Sequence, residues 1–161
     1  MHVRSVGTLD LGSLPALPAA VKAAARVGID LSRHRARPLR IGELGSADLV
    51  VGFEPGNISA AVVDGRADPA RTFSLVELGL LLEIQREEKA PHLGGPASVV
   101  QAAHERRPTS FLQAPRIADP RGASDSVFAR TVSLIDHHVS TIAEVVLVGG
   151  GNGAVAGSVS S

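Results

Sequence analysis

The sequence contains no cysteine, no tyrosine and no tryptophan. The first absence removes disulfides, thiolate metal sites and thiol nucleophiles together. With phenylalanine at only four positions, stacking platforms for single-stranded nucleic acid are missing in number. Charge of one sign is lacking too. The 16 basic and 16 acidic side chains give a formal net charge of zero, and the sequence pI is near 7.0. That balance argues against broad binding to nucleic acid or to acidic membranes. No apolar run reaches the ~18 residues of a membrane span. No basic-then-apolar leader opens the chain, so a cytoplasmic protein is expected. What is present is 161 residues, 44% of them hydrophobic. This is enough for one domain with a sizeable core, and unlike a disordered or collagen-like chain.

Local patterns predict strands alternating with helices. Val3-Arg4-Ser5-Val6 alternates as a short strand ending at Gly7. Ala19 to Val27 is a strong helix former, preceded by Pro15 and Pro18 and closed by Gly28. His34 to Arg40 is a basic connection. Ala47-Asp48-Leu49-Val50-Val51-Gly52-Phe53 is a continuous apolar run, the pattern of a parallel strand covered on both faces. Pro55-Gly56-Asn57 turns the chain into a short helix through Val63. Thr72-Phe73 is a brief strand, and Ser74-Leu75-Val76-Glu77 is a capping box opening a helix to about Glu88. Residues 90–96 form a linker, followed by a modest helix from Ala97 to Arg106. Phe128, Val132, Ile135, Val139, Ile142 and Val146 make one apolar stripe on a last helix, with Ser124 as its cap. This order predicts an α/β domain with a parallel sheet over 1–148 and a flexible tail over 149–161.

Three motifs that could carry chemistry are set aside by spacing. Leu147 to Ala156 resembles a strand entering a dinucleotide-binding glycine loop, but the helix and acidic ribose contact such a unit needs do not follow. His137 and His138 are adjacent, so on a helix they point about 100° apart and cannot chelate as an i, i+4 pair would. His92 and His104 have no neighbour at metal-ligand spacing, and no Gly-x-Ser-x-Gly elbow occurs. No metal and no cofactor is therefore expected.

Four fragments fit a common frame. They are Ser5-Val6-Gly7-Thr8, then Gly28-Ile29-Asp30-Leu31-Ser32-Arg33-His34-Arg35-Ala36-Arg37, then Ala47 to Glu54, and finally Ile117-Ala118-Asp119-Pro120. In that order they resemble the low-molecular-weight protein-tyrosine phosphatase family. Its members show Ser-Ala-Gly-Thr on the second strand, Gly-Ile-x-x-Ser-x-His-x-Ala-Arg after the second helix, an Ala-Asp strand, and Asp-Pro ahead of the final helix. Arg71-Thr72-Phe73-Ser74-Leu75 looks like its actinobacterial members. The resemblance covers about residues 3 to 148. It implies a three-layer αβα fold with a short parallel sheet, and hydrolysis of a phosphorylated protein or small phosphate monoester through a phosphocysteine.

The resemblance assigns Asp119 as the general-acid equivalent, and Ser5 and His34 as residues bracing the phosphate loop. Such a loop lowers a thiol's pKa through amides at a helix start, and its arginine grips two phosphate oxygens. Here Arg121 and Gly122 follow Asp-Pro where the family has an aromatic, which puts aryl-phosphate preference in doubt. The family's first strand–loop–helix unit, with its Cys-x5-Arg loop, has no counterpart in this sequence. The chain is therefore expected to be an N-terminally incomplete, inactive member, or else a non-catalytic binding or regulatory module. Related thiol chemistry such as arsenate reduction is disfavoured equally. The absent first strand would leave a sheet edge unpaired, open to a homodimer or a partner chain.

Overall fold

A computed structural model describes residues 2–88, 95–108, 117 and 119–148. Its elements are α1 (Pro18–Ala25), β1 (Val50–Gly52), α2 (Pro55–Val63), β2 (Thr72–Ser74), α3 (Leu75–Glu87), α4 (Pro96–Glu105) and α5 (Asp125–Ile142). A 3-10 turn at Pro69–Arg71 leads into β2, and a π-helical stretch, Ala143–Val148, continues α5. The chain is thus a mixed helix-and-strand protein with a short two-stranded parallel sheet. Of the predicted linker over 90–96, residues 90–94 lie outside the described residues, while Gly95 caps α4 and Pro96 begins it. The tail over 149–161 and His92 also lie outside the described residues.

The helices begin and end where local chemistry directs. Gly28 adopts φ 78° after α1, a conformation that only glycine takes without strain. The Ile29 N–H then reaches back to the Ala24 carbonyl at 3.0 Å. At the start of α2, Asn57 Oδ1 accepts the backbone N–H groups of Glu54 (3.1 Å) and Phe53 (3.3 Å). At α3 the capping box forms as expected. Ser74 Oγ accepts the Glu77 N–H at 3.2 Å, and the Glu77 carboxylate accepts the Ser74 N–H at 3.2 Å. Ser124 stands at the N-cap of α5, but its hydroxyl meets Ser126 Oγ at 2.9 Å rather than a helix amide.

β1 and β2 pair in parallel, Val50 with Thr72, Val51 with Phe73 and Gly52 with Ser74, and α2 provides the crossover between them. β2 is buried throughout, whereas Val51 and Phe53 of the β1 segment are exposed. The main core packs Phe73 and Leu78, Leu81 and Leu82 of α3 against Val99, Val100 and Ala103 of α4. Val145 and Val146 beyond α5 complete it. α5 crosses α3 and α1, and its N-terminal turn is tied to α1 by Lys22 and Asp125, whose charged atoms lie 2.6 Å apart. Both side chains are exposed, so this pair adds little stability. No helix among the described residues is long and apolar enough to cross a membrane.

Two expectations need correction. Val3-Arg4-Ser5-Val6 does not form a strand, and Val3 is 75% exposed. A lone strand has no ladder without a neighbour, and the backbone here pairs only at Gly7. That residue bridges to Pro38, donating to the Arg37 carbonyl and accepting from the Leu39 N–H, both at 2.8 Å. The apolar stripe of α5 is also broken. Val139 is exposed and His138 is buried in its place. Positions 138 and 139 both continue a helical face from Ile135 to Ile142, and what lies opposite decides between them.

Candidate functional site

The predicted site residues are distributed over two regions. Ser5 and His34, 29 positions apart in sequence, line one cleft of about 380 Å³ together with Val50, Val51 and Gly52 of β1 and Asn57 of α2. Its volume is that of a small-ligand pocket, and its walls are mostly apolar. Ser5 to Leu9 line the same cleft. The basic connection forms another wall through Ala36 and Arg37, and the Arg37 guanidinium is paired with the Glu43 carboxylate. That pair, with the Arg40 N–H on the second oxygen at 3.1 Å, holds Glu43 below the usual carboxylate pKa range.

Asp119 is not among the residues lining this cleft. It is exposed ahead of α5, and its Oδ1 accepts the backbone N–H of Arg121 at 2.9 Å, an Asx turn of the kind Asp-Pro segments form. The three residues assigned by resemblance are therefore split, with the two loop-bracing positions together and the acid position engaged in its own turn. Ala118, beside it, lies outside the described residues.

A second cluster joins α3 to α5. His137 Nε2 lies 3.0 Å from Glu83 Oε1, and the His137 and His138 ring centroids are 5.1 Å apart at an interplanar angle of 58°. One ligand atom each from Glu83, His137 and His138 all lie within 4.8 Å of one another. Spacing along α5 alone set these histidines aside. The partner on α3 was invisible to that argument because it is 54 residues away. The only local signal was Gly79, which with Glu83 makes an i, i+4 pair on one face of α3 and leaves room for an imidazole opposite.

Burial pushes His138 below the ordinary histidine pKa, the neighbouring His137 acts in the same direction, and Glu83 opposes them. In the unfolded chain the ring titrates near 6.5, so on acidification the unfolded state gains the proton first. The stability this group contributes is complete above about pH 6.5, falls as pH drops below it, and levels off only beneath the depressed folded value. Urea midpoints should therefore hold steady at and above about pH 7 and decline toward pH 5. A midpoint unchanged across that interval would contradict the buried, neutral state of His138.

No protein-family model matches this sequence, and comparisons with curated proteins and with solved structures find no similar one.

Proposed function

We propose that this chain is a low-molecular-weight phosphatase-like scaffold of αβα type that does not hydrolyse phosphate esters by itself. In this reading its cleft along β1 receives an added strand and phosphate loop from outside these residues. The observation that carries it is the meeting of Ser5 and His34 in one cleft that β1 also lines. Those are the two positions that the resemblance gives to bracing a phosphate loop. Among the described residues β1 pairs with β2 alone, and a strand added at its other edge would meet backbone amide and carbonyl groups there, the physical basis of recognition by strand addition. The nucleophile must come with that segment, since the sequence has no cysteine. Asp119 would act as proton donor only after its turn swings toward the cleft.

Two measurements test this. The purified chain should show no turnover of an aryl phosphate, and hydrolysis that survives Asp119→Ala would overturn the assignment of the site. Co-expression with a strand–Cys-x5-Arg–helix segment taken from a family member should give a stable complex. Amide resonances of Ser5 to Thr8 and Val50 to Gly52 should shift most. Failure of the segment to associate would reject the scaffold reading.

A second reading is favoured by the exposed apolar groups beside the cleft, Leu9 (64%), Leu11 (45%) and Phe53 (45%). Two copies could pair through their β1 edges and cover these side chains. Size-exclusion chromatography separates the two. A concentration-dependent dimer that the added segment does not dissociate supports pairing of copies, and a monomer excludes it.

A further inference from the structure

We infer that Glu83, His137 and His138 form a binding site for a divalent cation of the zinc class on the α3–α5 face. The site is separate from the β1 cleft and independent of the function proposed for it. Zinc held by imidazole nitrogen and carboxylate oxygen at 2.0–2.2 Å in tetrahedral geometry keeps its ligand atoms about 3.3 Å apart. Glu83 Oε1 and His137 Nε2 are already 3.0 Å apart, and the atom offered by His138 lies within 4.8 Å of both. His137 is 60% exposed at its side chain, so an ion has direct entry from solvent and this ring can adjust to it.

The second observation is the state of His138. It is only 4% exposed, and its Nδ1 is sealed from solvent with no hydrogen-bond partner. The imidazole is also fixed in place. It fills the notch at Gly79, where an added Cβ would meet the ring's Nδ1 and lie 2.9 Å from its Cγ, so Nδ1 faces α3. A ligand held in this way has little freedom to lose when an ion arrives.

The donor set selects the ion. Two imidazoles and one carboxylate suit zinc and its transition-metal neighbours rather than magnesium or calcium, which take oxygen ligands. Three protein ligands leave one tetrahedral position for water.

Isothermal titration of the chain with zinc chloride, and separately with magnesium chloride, tests the site. One zinc per chain is expected, with a saturating rise in melting temperature, and no saturable magnesium binding. Glu83→Gln and His137→Gln change partly exposed side chains, so both variants should fold by circular dichroism. Each should weaken zinc binding by at least about tenfold and abolish the zinc-dependent rise in melting temperature. No saturable zinc binding by the unaltered chain would overturn the proposal. So would zinc affinity unchanged in both folded variants, or magnesium binding as tight as zinc. His138→Ala, where it folds, should weaken zinc binding likewise, and the two other variants decide the matter where it does not.

Discussion

Arg107→Ala is expected to lower stability by about 3–5 kcal/mol, the scale of loss when one partner is taken from a buried ion pair. Arg107 follows the C-terminus of α4, and its guanidinium reaches into the junction between β2 and α3. Its Nε lies 3.0 Å from Glu77 Oε1, with the two side chains 10% and 8% exposed. Its Nη2 donates to the Thr72 carbonyl at 2.6 Å and its Nη1 to the Pro69 carbonyl at 3.1 Å. The guanidinium carbon also sits 4.0 Å from the centre of the Phe73 ring, a cation–π contact with a fully buried aromatic. One side chain thus fastens α4 to the turn before β2, to the strand itself and to the cap of the next helix. Burial draws the Arg107 pKa down and Glu77 opposes the shift, yet an arginine remains charged throughout the physiological range.

Alanine at position 107 would leave the Glu77 carboxylate buried with no countercharge, while the same carboxylate still has to cap Ser74. The penalty therefore comes chiefly from the stranded anion rather than from the lost attraction. It follows that Arg107→Met combined with Glu77→Gln should cost clearly less than the sum of the two single changes. Glutamine keeps a capping oxygen, and methionine refills the space over Phe73. Arg107→Lys should recover little, because an ammonium lacks the planar fork that reaches both carbonyls and stacks on the ring. Urea denaturation of these variants checks each statement. A loss under about 1 kcal/mol for Arg107→Ala would show that the pair is solvated rather than buried.

Which parts of this protein were legible in the sequence follows from how far apart the deciding residues lie. The β1 segment, the Pro55 turn, β2 and the Ser74–Glu77 cap are all written in stretches of a few residues, and all form, but the β1 run is not covered on both faces as its apolar pattern predicts, since Val51 and Phe53 are exposed. In each the instruction is local: an apolar run, a proline at the first helical turn, a hydroxyl three places before a carboxylate. The failures involve a distant partner. Val3 to Val6 has strand composition, but strand formation depends on a neighbour's hydrogen bonds, and residues 35–39 capture the backbone at Gly7 and Leu14 instead. Arg107 lies 30 residues after Glu77, and nothing near it in the sequence marks the pair. For the candidate site, resemblance joined Ser5 to His34, and both line one cleft. The position of Asp119 depends on how the segment before α5 is carried, which no local motif specifies.

Gly79→Ala is the second substitution with a large expected effect, and its sign runs against helix propensity. Glycine within a helix is about 1 kcal/mol less favourable than alanine, so in an isolated α3 the change would stabilise. In the folded protein the new Cβ would overlap the His138 imidazole, lying 2.9 Å from its Cγ and 3.2 Å from its Cβ. His138 cannot swing aside cheaply, because it is enclosed between α3 and its own helix and 4% exposed. Overfilling a packed contact costs about 1–3 kcal/mol, so a net loss of up to about 2 kcal/mol is expected after the propensity gain. The same contact explains why His138 rather than Val139 turns inward. The small residue opposite leaves a flat slot that a planar ring fills. A double-mutant cycle isolates the effect. In the His138→Ala background the obstructing ring is gone, and Gly79→Ala should become neutral or stabilising by up to about 1 kcal/mol. Urea denaturation of the four proteins measures the coupling, and stabilisation by Gly79→Ala in both backgrounds would mean that α3 and α5 do not meet through this notch.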